Sequence, residues 1–447
     1  MVEERVDFAL IGSDARALAR CKSICEEFEY SFQDWAKLDS FVDCESMPKL
    51  VVAYPPDMSS KESAAEAAQA VRFKCRDAFL ICVVSGRLGT ETAAFAKKSG
   101  ANLIVLEDEL YGTSKLEFAA TQVVRADFIP IKPTDLAPGI VVPFDVYHLM
   151  PLRRKFLKIA AAGTEFASEK ILKLGEVGEI YIRKSAVELF NQYIESNQDR
   201  SAKGLARRCR SQFLALYASY MDMAFLLTDQ SEYASFDRGA ELLKHCRDLG
   251  SNLLMTLGEF GNAWDIVNNS TIGECGSAER APAIAAYAAL FALQMDLPDI
   301  EEIMTAALLA DLGLLLLPPE VSKKMRVGSL DDLTAEELNS YRGYPHHSLG
   351  MILSRKLPVG EKLRELLIST HERADGTGFP RGITGRKLTE GAQLIQFCRE
   401  FDRRTVVSMG QARVDREEMR KKIILDELNH PARFSPVFSE KLKKAFV

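Results

Sequence analysis

No stretch of this sequence is both long and apolar enough to cross a membrane. The most apolar run, Met304 to Pro319, is broken by Asp311 and falls short of the roughly 20 residues a spanning helix needs. The opening Met1-Val-Glu-Glu-Arg lacks the basic flank and apolar core of a secretory signal, so a cytoplasmic location is expected. No CxxC pair occurs among the nine scattered cysteines. They read as reduced thiols, most of them buried as small hydrophobes. Excess positive charge is also missing: the net charge is −6, which gives no general drive toward a nucleic-acid polymer or an anionic membrane. Internal repeats and low-complexity tracts are absent. What remains is a chain of 447 residues, 47% hydrophobic and 27% charged. That is the composition of a soluble globular protein, too long for one ordinary core, so two or three domains are expected.

Residues 5–130 alternate short apolar runs (VDFALIG, KLVVAYP, AFLICVVSG, NLIVLED) with helical stretches such as ETAAFAKKSGA. This rhythm predicts βα units around a parallel sheet. The order resembles a receiver domain of two-component signalling, a doubly wound α/β fold. That resemblance implies acidic residues after the first strand, a phosphoacceptor aspartate ending the third and a lysine ending the fifth. Here the first strand ends Gly12-Ser13-Asp14, the third ends Ala53-Tyr54-Pro55, and Glu107 stands in the lysine position. Only Ser85 matches the hydroxyl position after the fourth strand. The expectation is a pseudo-receiver used for contact over 1–127. On pattern alone, any flavodoxin-like sheet remains an alternative.

The segment from Phe128 to Pro143 carries four prolines and one glycine, which predicts a linker or an extended edge. Strand-like runs then flank a helical segment up to Lys184. They define a small α/β adaptor over 128–190, similar to modules found ahead of the catalytic domain in some proteins of the family described next. Beyond Ser185 the periodicity is helical almost to the end: SAVELFNQYIES, LARRCRSQFLALYASYMDMAFLLT and GAELLKHCRDLGSNLLMTL repeat apolar residues at i, i+3 and i+4. Arg207, Arg208 and Arg210 read as a solvated helix face. An all-helical domain is expected over 191–447.

Within it, His371 to Pro380 reads HERADGTGFP. The amphipathic run before it places His371 near a helix C-terminus, and its glycines and proline impose an ordered loop. This stretch resembles the HD-GYP family, metal-dependent cyclic di-GMP phosphodiesterases of all-helical, HD-domain-like fold. The family's HHE, Asp-Gly and GYP elements are matched by Thr370-His371-Glu372, Asp375-Gly376 and Gly378-Phe379-Pro380. The resemblance extends through ALLADLGLLLLP (307–318), LTAEELNSYRGYPHHSLGMIL and GAQLIQFCREFD.

The family's chemistry needs two or three metal ions held by His and Asp, which convert water to hydroxide and neutralise the phosphate. Carried over residue by residue, the first ligand histidine falls at Arg280, and the HD pair falls at Ala310 and Asp311. The next histidine is matched by His346, with His347 where a proline is usual. The HHE histidines become Thr370 and His371, and the final aspartate becomes Arg399. The two phosphate-contacting residues become Leu314 and Gln393. Asp311, His346 and His371 are therefore relict metal-site positions. Arg280 and Arg399 bring positive charge where cations should bind, and two like charges 4 Å apart repel by roughly 4 kcal/mol at an effective dielectric of 20. An arginine can instead pair with Asp311.

The resemblance then implies a catalytically inactive signalling protein that acts as a scaffold or regulator in cyclic di-GMP-related signalling, with no catalytic residue, metal or cofactor. Alternatives are a non-hydrolysing cyclic di-GMP receptor, a single metal held by Asp311, His346 and His371, or a residual metal-dependent phosphodiesterase. Expected partners are signalling proteins, diguanylate-cyclase-type domains among them, with a homodimer as a further candidate. Glu372, Asp375, Gly376, Gly378, Phe379 and Pro380 are the candidate partner or nucleotide contacts. Because Tyr54 and Glu107 replace acceptor and sensor, incubation with a small-molecule phosphodonor should add no acid-labile phosphate by intact mass. An adduct on Asp14 or a neighbour would contradict that expectation.

Overall fold

The computed structural model describes the chain except residues 1–4, 87–88, 126, 151–154, 178, 198, 200, 230–235, 260–276, 328–329, 386, 406–420, 423, 427–432 and 447. It divides into two compact units. The first comprises Met1–Asp127, Ala224–Asp237 and Leu315–Ser322; the second comprises Phe128–Met223, Arg238–Leu314 and Lys323–Val447. Two short segments that read as helical-domain sequence, 224–237 and 315–322, thus belong with the N-terminal sheet.

In the first unit, β1 (Arg5–Ile11), β2 (Phe32–Trp35), β3 (Met47–Ala53), β4 (Phe79–Val84) and β5 (Leu103–Leu106) form one sheet in the order β2-β1-β3-β4-β5. All its pairings are parallel. Such strands are covered on both faces, which explains their nearly unbroken apolar runs. Alternate residues feed two cores. Ala9, Ile11, Val51, Ala53, Leu80 and Cys82 face one side; Phe8, Leu10, Leu50, Val52, Ile81 and Val83 face the other. At the C-terminal strand ends the Tyr54 hydroxyl donates to Oε1 of Glu107 at 2.8 Å. Tyr111 donates to Asp14 at 2.9 Å, and Asp14 also caps the following helix by accepting from Ala17 N at 2.7 Å. Burial pushes the Tyr54 phenol upward, and its hydrogen bond to Glu107 adds to that, so it stays protonated at neutral pH.

The second unit begins with β6 (Phe128–Ile131), β7 (Val141–Val142), β8 (Val146–Met150), β9 (Lys155–Ala160), β10 (Thr164–Glu165) and β11 (Ile180–Arg183). Four of these make an antiparallel sheet, β6-β11-β8-β9. Phe128 to Ile131 is therefore an edge strand, where Pro130 costs no ladder bond that matters. Ile129, Ile131, Val146, Ile180 and Ile182 fill its buried face. Beyond it, the described residues form helices and turns with no strand longer than an isolated bridge. The described cysteines are free thiols, all buried except Cys44.

One expectation is corrected here. Arg210 is not on a solvated face but buried, its Nε 2.8 Å from Oδ2 of the fully buried Asp135. Asp135 lies 75 residues earlier, so helical periodicity alone carried no trace of the partner. Asp135→Ala would strand a buried guanidinium and should cost about 3–5 kcal/mol, read as a lower chemical-denaturation midpoint. Lys49→Ala, which removes the part-exposed pair with Asp7, should change stability by less than about 1 kcal/mol.

Candidate functional site

The site is assembled by a clamp around Ser348. The helix Ile300–Leu309 ends just before Asp311, and the chain turns through Leu312–Leu316. Ser348, on the helix Ala335–Ser354, donates to the Ala310 carbonyl at 2.6 Å and accepts from Gly313 N at 2.7 Å. A Cβ at Gly313 would collide with the Tyr344 carbonyl, so glycine is what lets this helix press onto the turn. With Ser348 held there, helical phase decides which neighbours reach Asp311. Tyr344, four residues earlier, shares its face. His346, two residues from each, is turned about 200° from Tyr344 at 100° per residue.

His346 is accordingly exposed, as is His347. The structure does not bring His346 to Asp311 and His371, which corrects the sequence expectation: Tyr344 holds that place. The signal was present as the spacing Tyr341, Tyr344, Ser348, Ile352, all buried. A histidine was weighted above the apolar phase of its helix.

Four side chains meet. Arg399, on the helix Glu390–Thr405, forms an ion pair with Asp311 through Nη1 and donates from Nη2 to the Tyr344 hydroxyl. Asp311 is 2% exposed. The Tyr344 hydroxyl lies 3.2 Å from Asp311 Oδ1 and contacts Nε2 of His371. A phenol has one proton. Having accepted from Arg399, it donates at any moment either to Asp311 or to the imidazole. Burial raises the Tyr344 phenol well above its ordinary value. Burial, then the charges of Arg399 and Arg373, pushes the His371 imidazole well below its own. At neutral pH both are uncharged. Burial is the largest single influence on Arg399 and opposes its charge, but Asp311 together with Tyr344 and Tyr341 outweighs it, and the guanidinium is pushed further up. The site therefore holds one full positive and one full negative charge, paired.

His371 lies just past the helix Glu361–Ile368. Its ring stacks on Phe379 with centroids 4.5 Å apart and planes 8° from parallel, while Phe379 N donates to the His371 carbonyl at 3.2 Å. Phe379 thus holds the imidazole by ring packing. Glu372 is fully buried and accepts from Arg381 N at 2.7 Å and Ile383 N at 3.0 Å. It organises the loop from inside, which corrects its reading as a partner or nucleotide contact. Asp375, exposed, accepts from Thr377 N and Oγ1 at 2.9 and 2.8 Å. Gly376 adopts φ +80°, and a Cβ at Gly378 would strike the Glu372–Arg373 backbone. Gly378, Phe379 and Pro380 remain half-buried.

The other carried-over positions have internal roles. Thr370 donates to the Leu367 carbonyl at 3.2 Å, and Ala310 and Leu314 are buried apolar residues. Gln393 accepts from Ser435 N at 2.7 Å. Arg280, 1% exposed, does not reach Asp311; its Nε donates to Asp402 Oδ2 at 3.0 Å in a second buried pair. These donors do not fit a metal centre. The Asp311 carboxylate is ion-paired, and the Nε2 edge of His371 is engaged by a phenol. Among the described residues, no three His, Cys, Asp or Glu side chains are grouped to hold an ion. Nor, among those residues, is any helix long and apolar enough to cross a membrane.

Glu372→Ala should remove the charged acceptor of two part-buried N–H groups, a loss of up to about 1.5–3 kcal/mol for each hydrogen bond. Hydrogen exchange at Arg381 and Ile383 should accelerate markedly. Unchanged protection there would show that the carboxylate does not organise the loop.

Comparison with known proteins places this geometry in context. Residues 265–433 match the HD domain family. A cyclic di-GMP phosphodiesterase of Pseudomonas aeruginosa, PA4108, is 29% identical over 122 residues, covering 27% of this chain and 28% of that protein. The 3'3'-cGAMP-specific phosphodiesterase 3 of Vibrio cholerae is 30% identical over 139 residues, covering 31% and 28%. A cyclic di-GMP phosphodiesterase of Thermotoga maritima is 31% identical over 105 residues, covering 23% and 27%. The chain thus matches little more than a quarter of the length of these relatives. Among solved structures, Bd1817, a HDG"Y"P protein from Bdellovibrio bacteriovorus, aligns over 71% of this chain and 99% of its own at 17% identity, with a TM-score of 0.47. The C-terminal helical region of this chain thus matches the HD domain family, and the curated relatives matched here are named as cyclic dinucleotide phosphodiesterases.

Proposed function

We propose that this chain is a non-hydrolysing, HD-GYP-like regulator in cyclic di-GMP-related signalling, acting through protein contacts. The observation that carries the reading is the Arg399 guanidinium on Asp311. A hydrolase of this kind needs that carboxylate on a cation that activates water, and here it is committed to a side chain. The names of the matched relatives support the signalling context. Thr370 and Ala310, where two further ligands would stand, offer a hydroxyl already bonded to the backbone and a methyl group. Leu314 and Gln393 supply no positive charge for a developing phosphate.

The N-terminal unit is read as a pseudo-receiver serving contact. Its β2-β1-β3-β4-β5 order is one of the two common doubly wound orders, and the Tyr54–Glu107 bond occupies the positions of acceptor and sensor. In the helical region, Asp375 and Thr377 are the exposed members of the ordered loop, a surface that a partner signalling domain can meet.

Incubation of the full chain with cyclic di-GMP and manganese or iron should yield neither linear dinucleotide nor GMP by chromatography. Substituting His371 by alanine should leave that result unchanged and the cellular output largely unchanged. Metal-dependent turnover that disappears in His371→Ala would overturn the reading.

A further inference from the structure

The ion pair on Asp311 can be carried further than the absence of hydrolysis. In the structure Arg399 meets groups that come from three other parts of the chain. Asp311 follows the helix Ile300–Leu309, and Tyr344 lies within Ala335–Ser354. His371 opens the loop after Glu361–Ile368, and Arg399 belongs to Glu390–Thr405. The guanidinium contacts two of these groups directly, Asp311 and Tyr344, and Tyr344 passes the contact on to His371. A second arginine is also paired in the interior: Arg280, before the helix Ala281–Gln294, is paired with Asp402 and both are nearly inaccessible.

We infer that Arg399 is a resident cation that does the structural work of a metal ion, tying these helices and the His371 loop together through Asp311 and Tyr344. The inference rests on the reading of this site as metal-free. Its chemistry is that of charge and shape. A buried carboxylate needs a counter-charge. A guanidinium supplies one permanently, with planar donors that reach a carboxylate and a phenol at once. Unlike a bound ion, it cannot be removed by dilution or chelation. The surrounding groups match a side-chain cation: a phenol that accepts one hydrogen bond and donates another, a neutral imidazole stacked on Phe379, and a carboxylate within ion-pair reach. Arg280 on Asp402 is a second buried arginine–carboxylate pair in the helical region.

The test uses the full chain and thermal denaturation, with four additives as probes: EDTA, MnCl2, methylguanidinium chloride, and NaCl at matched ionic strength. Wild type should keep its Tm within about 1 °C in all four. Arg399→Ala should lose roughly 6–20 °C, the loss expected when one partner of a buried pair is removed from a domain of this size. Methylguanidinium or manganese should restore part of that loss, and NaCl should not. A wild-type Tm that falls in EDTA, an Arg399→Ala Tm equal to wild type, or restoration no better than with NaCl would each overturn the inference. Should Arg399→Ala fail to fold, Arg399→Lys and Arg399→Met replace it. The lysine variant must melt above the methionine variant, and equal Tm values overturn the inference. Turnover of cyclic di-GMP by a wild type whose Tm ignores chelator would defeat the non-hydrolysing reading and leave the resident cation standing.

Discussion

A buried carboxylate must find a counter-charge, and in the helical region of this protein Asp311 finds it in Arg399. Much of the site follows from that requirement. Paired with a guanidinium, the carboxylate has its counter-charge within the chain. The phenol of Tyr344 can then sit beside it as a neutral group, and the imidazole of His371 stays uncharged. Remove the arginine and each of these neighbours must change partner or protonation state. The pair Arg280–Asp402 obeys the same rule elsewhere in the helical region.

The loop after His371 is ordered by a different device. Glu372 turns its carboxylate inward to two backbone N–H groups, and Asp375 folds the chain back through Thr377. Gly376 and Gly378 allow conformations and approaches that any side chain would block. Arg381 braces the outer side by a two-pronged pair with Glu365 at 2.7 and 3.0 Å. These contacts order the loop, and Phe379 packs against the imidazole by stacking. The loop's exposed members, Asp375 and Thr377, lie on this ordered frame.

Features written in consecutive residues were legible from the sequence. The parallel sheet was visible in VDFALIG and AFLICVVSG because strands covered on both faces cannot hide their composition. The ordered loop was visible in HERADGTGFP because glycine and proline act locally. The place of His371 past a helix end was legible for the same reason. What was not legible depended on partners far along the chain. Arg210 looked solvated because Asp135 lies 75 residues away, and Arg280 gave no hint of Asp402, 122 residues on. Tyr344 was passed over for His346 because residue chemistry was weighed ahead of helical phase, though Ser348 and Ile352 marked the buried face. The inward turn of Glu372 was likewise invisible, since its acceptor role is set by the path of the loop from Arg381 to Ile383.

The central claim is that side-chain cations stand where the HD-GYP resemblance implies metal ions. Elemental analysis of the mildly purified full chain tests it most directly. The account predicts less than one equivalent in total of iron, manganese and zinc per chain. Two or more equivalents per chain would contradict it.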